Sequence, residues 1–122
     1  MKNYFKYGLL LLMLSSFVSL NEIVSAIKSG NASELSKHFD NTIEITLTDK
    51  KNTYSKSQAE LVIKDFFKTN VVTGFEILHK DDKTNTQFII GNLETKNGDY
   101  RTTIYMKQKG NKQLLQELRF ER

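Results

Sequence analysis

Two histidines, a helical aspartate and two tyrosines are the side chains here with chemistry to offer. His79 stands in phase with Phe75 and Ile77 on an alternating run, which would turn its imidazole toward an interior where burial tunes the pKa. It also ends that run beside Lys80-Asp81-Asp82, so an exposed or merely hydrogen-bonded histidine is the simpler expectation. Asp65, Tyr54 and Tyr105 could join His79 in the acid and base chemistry of an isomerase, dehydratase or cyclase. That requires the fold to bury one ionisable group and bring a partner within hydrogen-bond reach. His38 and Asp40 flank Phe39 where a short helix should end, positions at which a histidine meets the helix dipole and an acid meets loop amides. Metal binding there would need Glu44 or His79 to converge, so no metal is expected.

The aromatic residues Tyr54, Phe66, Phe75, Phe88, Tyr100, Tyr105 and Phe120 could line an apolar pocket, and Tyr54, Phe66, His79 and Tyr105 are its candidate ligand-binding set. A chain this small has little apolar surface to spare, so most of them are expected in the core. There is no glycine-rich phosphate loop, no GxSxG elbow and no paired CxxC. Asp81-Asp82-Lys83-Thr84-Asn85 lacks the central glycine and final glutamate of a calcium loop. The reading is therefore a noncatalytic, cofactor-free binding domain, with the small acid and base enzyme as its alternative.

The elements that must position these groups change character along the chain. The spacing of Leu20, Ile23, Val24 and Ile27 predicts a short amphipathic helix stopped at Gly30. Asn31 should cap a second helix, with Glu34 completing a capping-box-like pair and Leu35 and Phe39 facing inward. Thr42 to Thr48 alternates as a strand, Asp49 to Asn52 should turn, and Thr53-Tyr54 should pair back briefly. Ser55 and Ser57, each three before Gln58 and Glu60, start a longer helix with the stripe Ala59, Val62, Ile63 and Phe66, ending near Asn70.

Residues 74 to 122 then read as four strands in an antiparallel meander. Phe88 and Ile90, or Ile89 and Leu93, should share a face of the second; Ile104 and Met106 follow, and Leu114, Leu118 and Phe120 come last. Asn97-Gly98 suggests a type I′ turn with two positive φ angles, Gly110-Asn111 a similar tight turn, and Asp81 to Thr86 a looser one. Helices followed by such strands predict an α+β fold.

The 122 residues hold one domain. Lys2, Lys6, the apolar stretch Gly8 to Leu20 and the small residues after it have the layout of a secretory signal peptide, shorter than the roughly 20 apolar residues a span needs. Cleavage after Ala26 has the better small-residue pattern; a cut near Ser19 preserves the first helix and is favoured, giving a signal over 1–19 and a domain over 20–122. The exported chain would be periplasmic or secreted, with no stable membrane anchor. Of 18 basic residues, Lys2 and Lys6 lie in that leader, so the formal charge of +4 falls to +2. Lys107, Lys109 and Lys112 are too thin a cluster for nucleic acid and suit an aggregation-resistant strand edge. Without cysteine, neither a disulfide nor a lipidated thiol is available.

The segments Ile23-Val24-Ser25-Ala26-Ile27-Lys28-Ser29-Gly30-Asn31-Ala32, Tyr54-Ser55-Lys56-Ser57-Gln58-Ala59-Glu60, Lys64-Asp65-Phe66-Phe67-Lys68 and Leu118-Arg119-Phe120-Glu121 resemble domain of unknown function 4783, a family of small exported bacterial proteins. The element order resembles the nuclear transport factor 2-like (cystatin-like) fold. The resemblance implies a cone of helices wrapped by a curved antiparallel sheet, and implies no reaction or catalytic residue. One broad sheet face would remain for a homodimer, with strand residues near Tyr105, Arg119 and Phe120 protected. A small apolar ligand or an envelope protein is the other expected partner.

Overall fold

Local capping chemistry places the helices. In the computed structural model, which describes residues 20–122, helix α1 covers residues 20–28 and buries Leu20, Ile23, Ala26 and Ile27. The expected signal peptide over 1–19 lies outside the described residues. Gly30 ends α1 at φ +62, a conformation that a Cβ disfavours. Asn31 Oδ1 accepts the Glu34 amide at 3.1 Å and opens α2 (Ala32–Ser36). The expected reciprocal bond from Glu34 does not form, because its carboxylate takes the Lys37 ammonium at 2.9 Å instead. At α3 (Lys56–Thr69) both halves of the Ser55–Gln58 capping box are present, and Ala59, Ile63, Phe66 and Phe67 are buried.

Among the described residues six strands form one open sheet: β1 (Phe39–Leu47), β2 (Lys50–Ser55), β3 (Val72–Asp82), β4 (Thr86–Thr95), β5 (Gly98–Lys109) and β6 (Lys112–Glu121), in the order β2-β1-β6-β5-β4-β3. The β1–β6 pairing is parallel and the rest antiparallel, so the last four strands are the expected meander. Phe39 and Asp40 belong to β1 and not to a helix end, since Phe39 already pairs with Leu115. The core forms where α3 meets the inner face. Phe66 stacks on Phe120 with ring centroids 4.5 Å apart, Tyr100 meets Phe66 edge-on at 5.1 Å, and Phe67 meets Phe120 at 6.0 Å.

Turns and bulges depart from the sequence expectation, each for a nonlocal reason. Leu47 pairs with Lys50, so the β1–β2 turn is Thr48-Asp49 and β2 is longer than a brief return. Thr48 accepts φ 62 while its amide donates to the Phe120 carbonyl at 2.7 Å, an anchor from another strand. At the β4–β5 turn Gly98 alone has positive φ, so it is not type I′. Asn97 there reaches across to donate to the Thr69 carbonyl at 2.7 Å.

Bulges reset the side-chain parity. Between Ile77 and His79 the register with β4 slips by one residue, so His79 pairs with Ile90 rather than with an inward residue. The expectation that His79 shares the face of Phe75 is thereby corrected: it is exposed, on the far side of the sheet from the helices. A second slip, between Tyr105 and Met106, makes Leu115 rather than Leu114 join Leu118 and Phe120 as the fully buried residues of β6. In β4, Ile89 and Leu93 face inward and Phe88 and Ile90 outward.

Candidate functional site

The register that buries alternate residues aligns the others in rows across the outer face. One row runs Thr53, Glu44, Glu117, Tyr105, Phe88 and Asp81 from β2 to β3. The next runs Lys51, Thr46, Arg119, Thr103, Ile90 and His79, and a third sets Glu121, Arg101, Asn92 and Glu76 side by side. Phe120, expected with Tyr105 and Arg119 on a protected sheet surface, is instead fully buried on the inner face.

The first row borders a groove of about 310 Å³ lined by Thr42, Glu44, Thr53, Tyr105, Gln116 and Glu117. Two carboxylates on adjacent strands repel, and Lys51 offsets this by placing its ammonium 3.3 Å from Glu44 and 3.9 Å from Glu117. Arg119 donates to Glu121 at 3.2 Å. The surface thus carries acidic and basic rows side by side, with the rings of Phe88 and Tyr105 adjacent in the register. Such a face can recognise by ion pairing and aromatic contact.

The four candidate ligand residues are dispersed. Tyr105 borders the outer groove, Tyr54 packs partly buried against the core opposite Ile43, Phe66 lies inside the aromatic stack, and His79 is exposed at the far end of its row. Asp65 is exposed on α3. His38 and Asp40 part company. His38 Nε2 stands 3.3 Å from the Glu22 carboxylate of α1; burial lowers its pKa, and Glu22 pulls the other way. Asp40 accepts from Lys109 Nζ at 2.6 Å and Gln116 Nε2 at 2.5 Å, and these hydrogen bonds bring its pKa down to about 2. Lys109 therefore fastens the β5–β6 hairpin to β1, and the sheet edges are β2 and β3. The basic cluster does not guard an edge.

At the other end of the core the Tyr100 hydroxyl donates to Asn70 Oδ1 at 3.0 Å, while Arg122 donates to that hydroxyl at 2.8 Å and lies 4.5 Å over the ring. Among the described residues no three His, Cys, Asp or Glu side chains gather as metal ligands would, and no helix is long and apolar enough to cross a membrane. Gln116 and Glu117 of the groove escaped sequence reasoning, and Glu44 entered it only as a distant metal ligand. Their signal was the polar alternation of Glu44-Thr46 and Glu117-Arg119-Glu121, but only the parallel β1–β6 pairing brings the two runs together.

Residues 20–121 match the family described as Domain of unknown function (DUF4783). The chain belongs to this family. Three solved DUF4783 family proteins are similar along most of their length. That of Bacteroides ovatus is 28% identical over 83% of this chain and 92% of its own, with a TM-score of 0.80. That of Bacteroides uniformis is 26% identical over 84% and 94%, at 0.81, and that of Bacteroides fragilis 29% over 83% and 95%, at 0.79. Beyond DUF4783 the likeness is one of fold. An NTF2-like protein of unknown function from Cytophaga hutchinsonii superimposes at a TM-score of 0.60 with 7% identity, each chain covered to 83%. The DUF4783 domain is thus an α+β cone of the NTF2-like kind, its helices cupped by a curved sheet. No curated protein matches the chain significantly.

Proposed function

We propose that the protein is an exported, noncatalytic domain that works by association through the outer face of its sheet, with a second copy of itself as the partner. The observation that carries this reading is the row structure of that face. Lys51 and Arg119 lie in one row, with Glu44 and Glu117 in the row beside it and Glu121 on the other side. A two-fold related copy can then set each basic row against acidic groups of its partner, around Tyr105 and Phe88 as apolar contacts. The acid and base enzyme has less support, because its motivating groups Asp65 and His79 stand exposed on different elements. Export rests on the leader pattern of Lys2, Lys6 and Gly8 to Leu20.

Sedimentation equilibrium of the purified protein tests the association. A dimer is expected, and Tyr105→Glu with Arg119→Glu should convert it to a monomer that remains folded, at a modest cost in thermal stability from the lost Arg119–Glu121 pair. A monomer up to about 1 mM, or a dimer indifferent to both substitutions, would defeat the reading. The mass of the protein recovered from outside the cytoplasm tests export independently, a start at residue 20 being the expected result.

A further inference from the structure

The helical side of the molecule carries a larger cavity, of about 530 Å³, where the α1–α2 turn faces α3. Small-molecule sites fall at roughly 300–1,000 Å³. One wall is α3, which presents Glu60, Lys64 and Lys68 at four-residue spacing and therefore along one stripe. The facing wall is the turn with Asn31 and Ser33. Between them Phe67, a core residue only 6% exposed, contributes a small apolar patch to the floor. At Gly30 the turn passes in ordinary van der Waals range of Val72 and Phe67, an added Cβ lying 3.5 Å from Val72 Cγ2 and 3.8 Å from Phe67 Cγ.

The hydrogen-bonding capacity of these walls is lopsided. Among the described residues, Lys64 and Lys68 have no carboxylate within ion-pair distance. Asn31 spends its Oδ1 on the Glu34 amide, which leaves its NH₂ group as the end to offer. Glu60 is the one acid of the lining, and it already accepts the Ser36 hydroxyl at 2.9 Å. Donors and positive charge thus exceed acceptors, with the single carboxylate at one end.

The geometry points to a site for a small anionic ligand: an acid group for Lys64 and Lys68, on a hydroxylated body of about monosaccharide size whose apolar face rests on Phe67. Glu60 makes the body necessary. A bare inorganic anion meets the carboxylate as well as the lysines, whereas a sugar acid can donate a hydroxyl to it.

Amide NMR of the purified protein, titrated separately with glucuronate, glucose and inorganic sulfate, tests this. Glucuronate should move the amides of residues 29–33 and 64–68 and saturate with a Kd of about 1 mM or tighter. Glucose and sulfate should each be at least about tenfold weaker. Lys64→Ala with Lys68→Ala should weaken glucuronate by at least that factor while amides elsewhere stay in place. Glu60→Gln should narrow the gap between glucuronate and sulfate. Equal response to glucose would overturn the acid group, equal response to sulfate would overturn the sugar-sized body, and binding undiminished in the double variant would overturn the site.

Discussion

The two faces of this sheet are built from the same strands and differ in chemistry. On the inner face Ile104, Leu118 and Phe120 are fully buried, Phe120 against the rings of α3. One residue along, Arg119 and Glu121 belong to a charged surface, with Thr103 buried between neighbours in the same row. A strand offers one face to stability and the other to recognition only while its parity holds, and the bulges in β3 and at the β5–β6 pairing are where that parity is reset. The inner face holds the fold, and the outer face carries most of the exposed charge of these strands.

The sharpest way to break the contrast is to empty the inner face. Phe120→Ala removes the ring stacked on Phe66 and should cost about 3–5 kcal/mol in urea unfolding. A loss below about 1 kcal/mol would mean the aromatic stack is not what the helices rest on. Next comes Gly91, which faces inward on β4 beneath Phe75. An added Cβ would stand 2.5 Å from Phe75 Cζ and 2.8 Å from the Glu76 carbonyl, and the backbone atom cannot swing aside. Gly91→Ala should therefore lower the unfolding free energy by about 1–3 kcal/mol; an unchanged midpoint would show that β3 lifts away freely.

Asp40 measures the polar clasp between β1 and the β5–β6 hairpin. Its folded pKa of about 2 lies below its ordinary 3.8, so its contribution is full above about pH 4 and is lost as pH falls through 2. Discounted for the half-exposed Lys109, that contribution is about 1–2 kcal/mol. Asp40→Asn should cost this much at neutral pH and flatten the acid limb of the stability curve between about pH 4 and 2. A variant that keeps the wild-type acid limb would assign it to other carboxylates. The smallest effect belongs to the outer face: His79→Ala should change stability by less than about 0.5 kcal/mol. A larger loss would place His79 in contacts that its exposure contradicts.

Elements governed by near neighbours were legible along the chain. The Ser55–Gln58 cap, the stop at Gly30 and the four-strand meander follow from local hydrogen bonds, backbone freedom and side-chain period, all set within a few residues. The two readable faces of β1, with Ile43 and Ile45 against Glu44 and Thr46, belong to the same class.

What the chain did not disclose locally is which strand lies beside which and where the register slips. Thr48 takes a left-handed turn because Phe120 anchors its amide, Asn97 is drawn out of a type I′ turn by the carbonyl of Thr69, and one extra residue near Leu78 sends His79 outward. The outer groove is more remote still, since Glu44 and Glu117 become neighbours only when β1 and β6 pair in parallel across the length of the domain. Sequence alone therefore determined the elements, their order and the family. Tertiary structure decided the register and with it the groove on the sheet, because a one-residue slip costs little locally yet exchanges the buried and exposed faces of a strand.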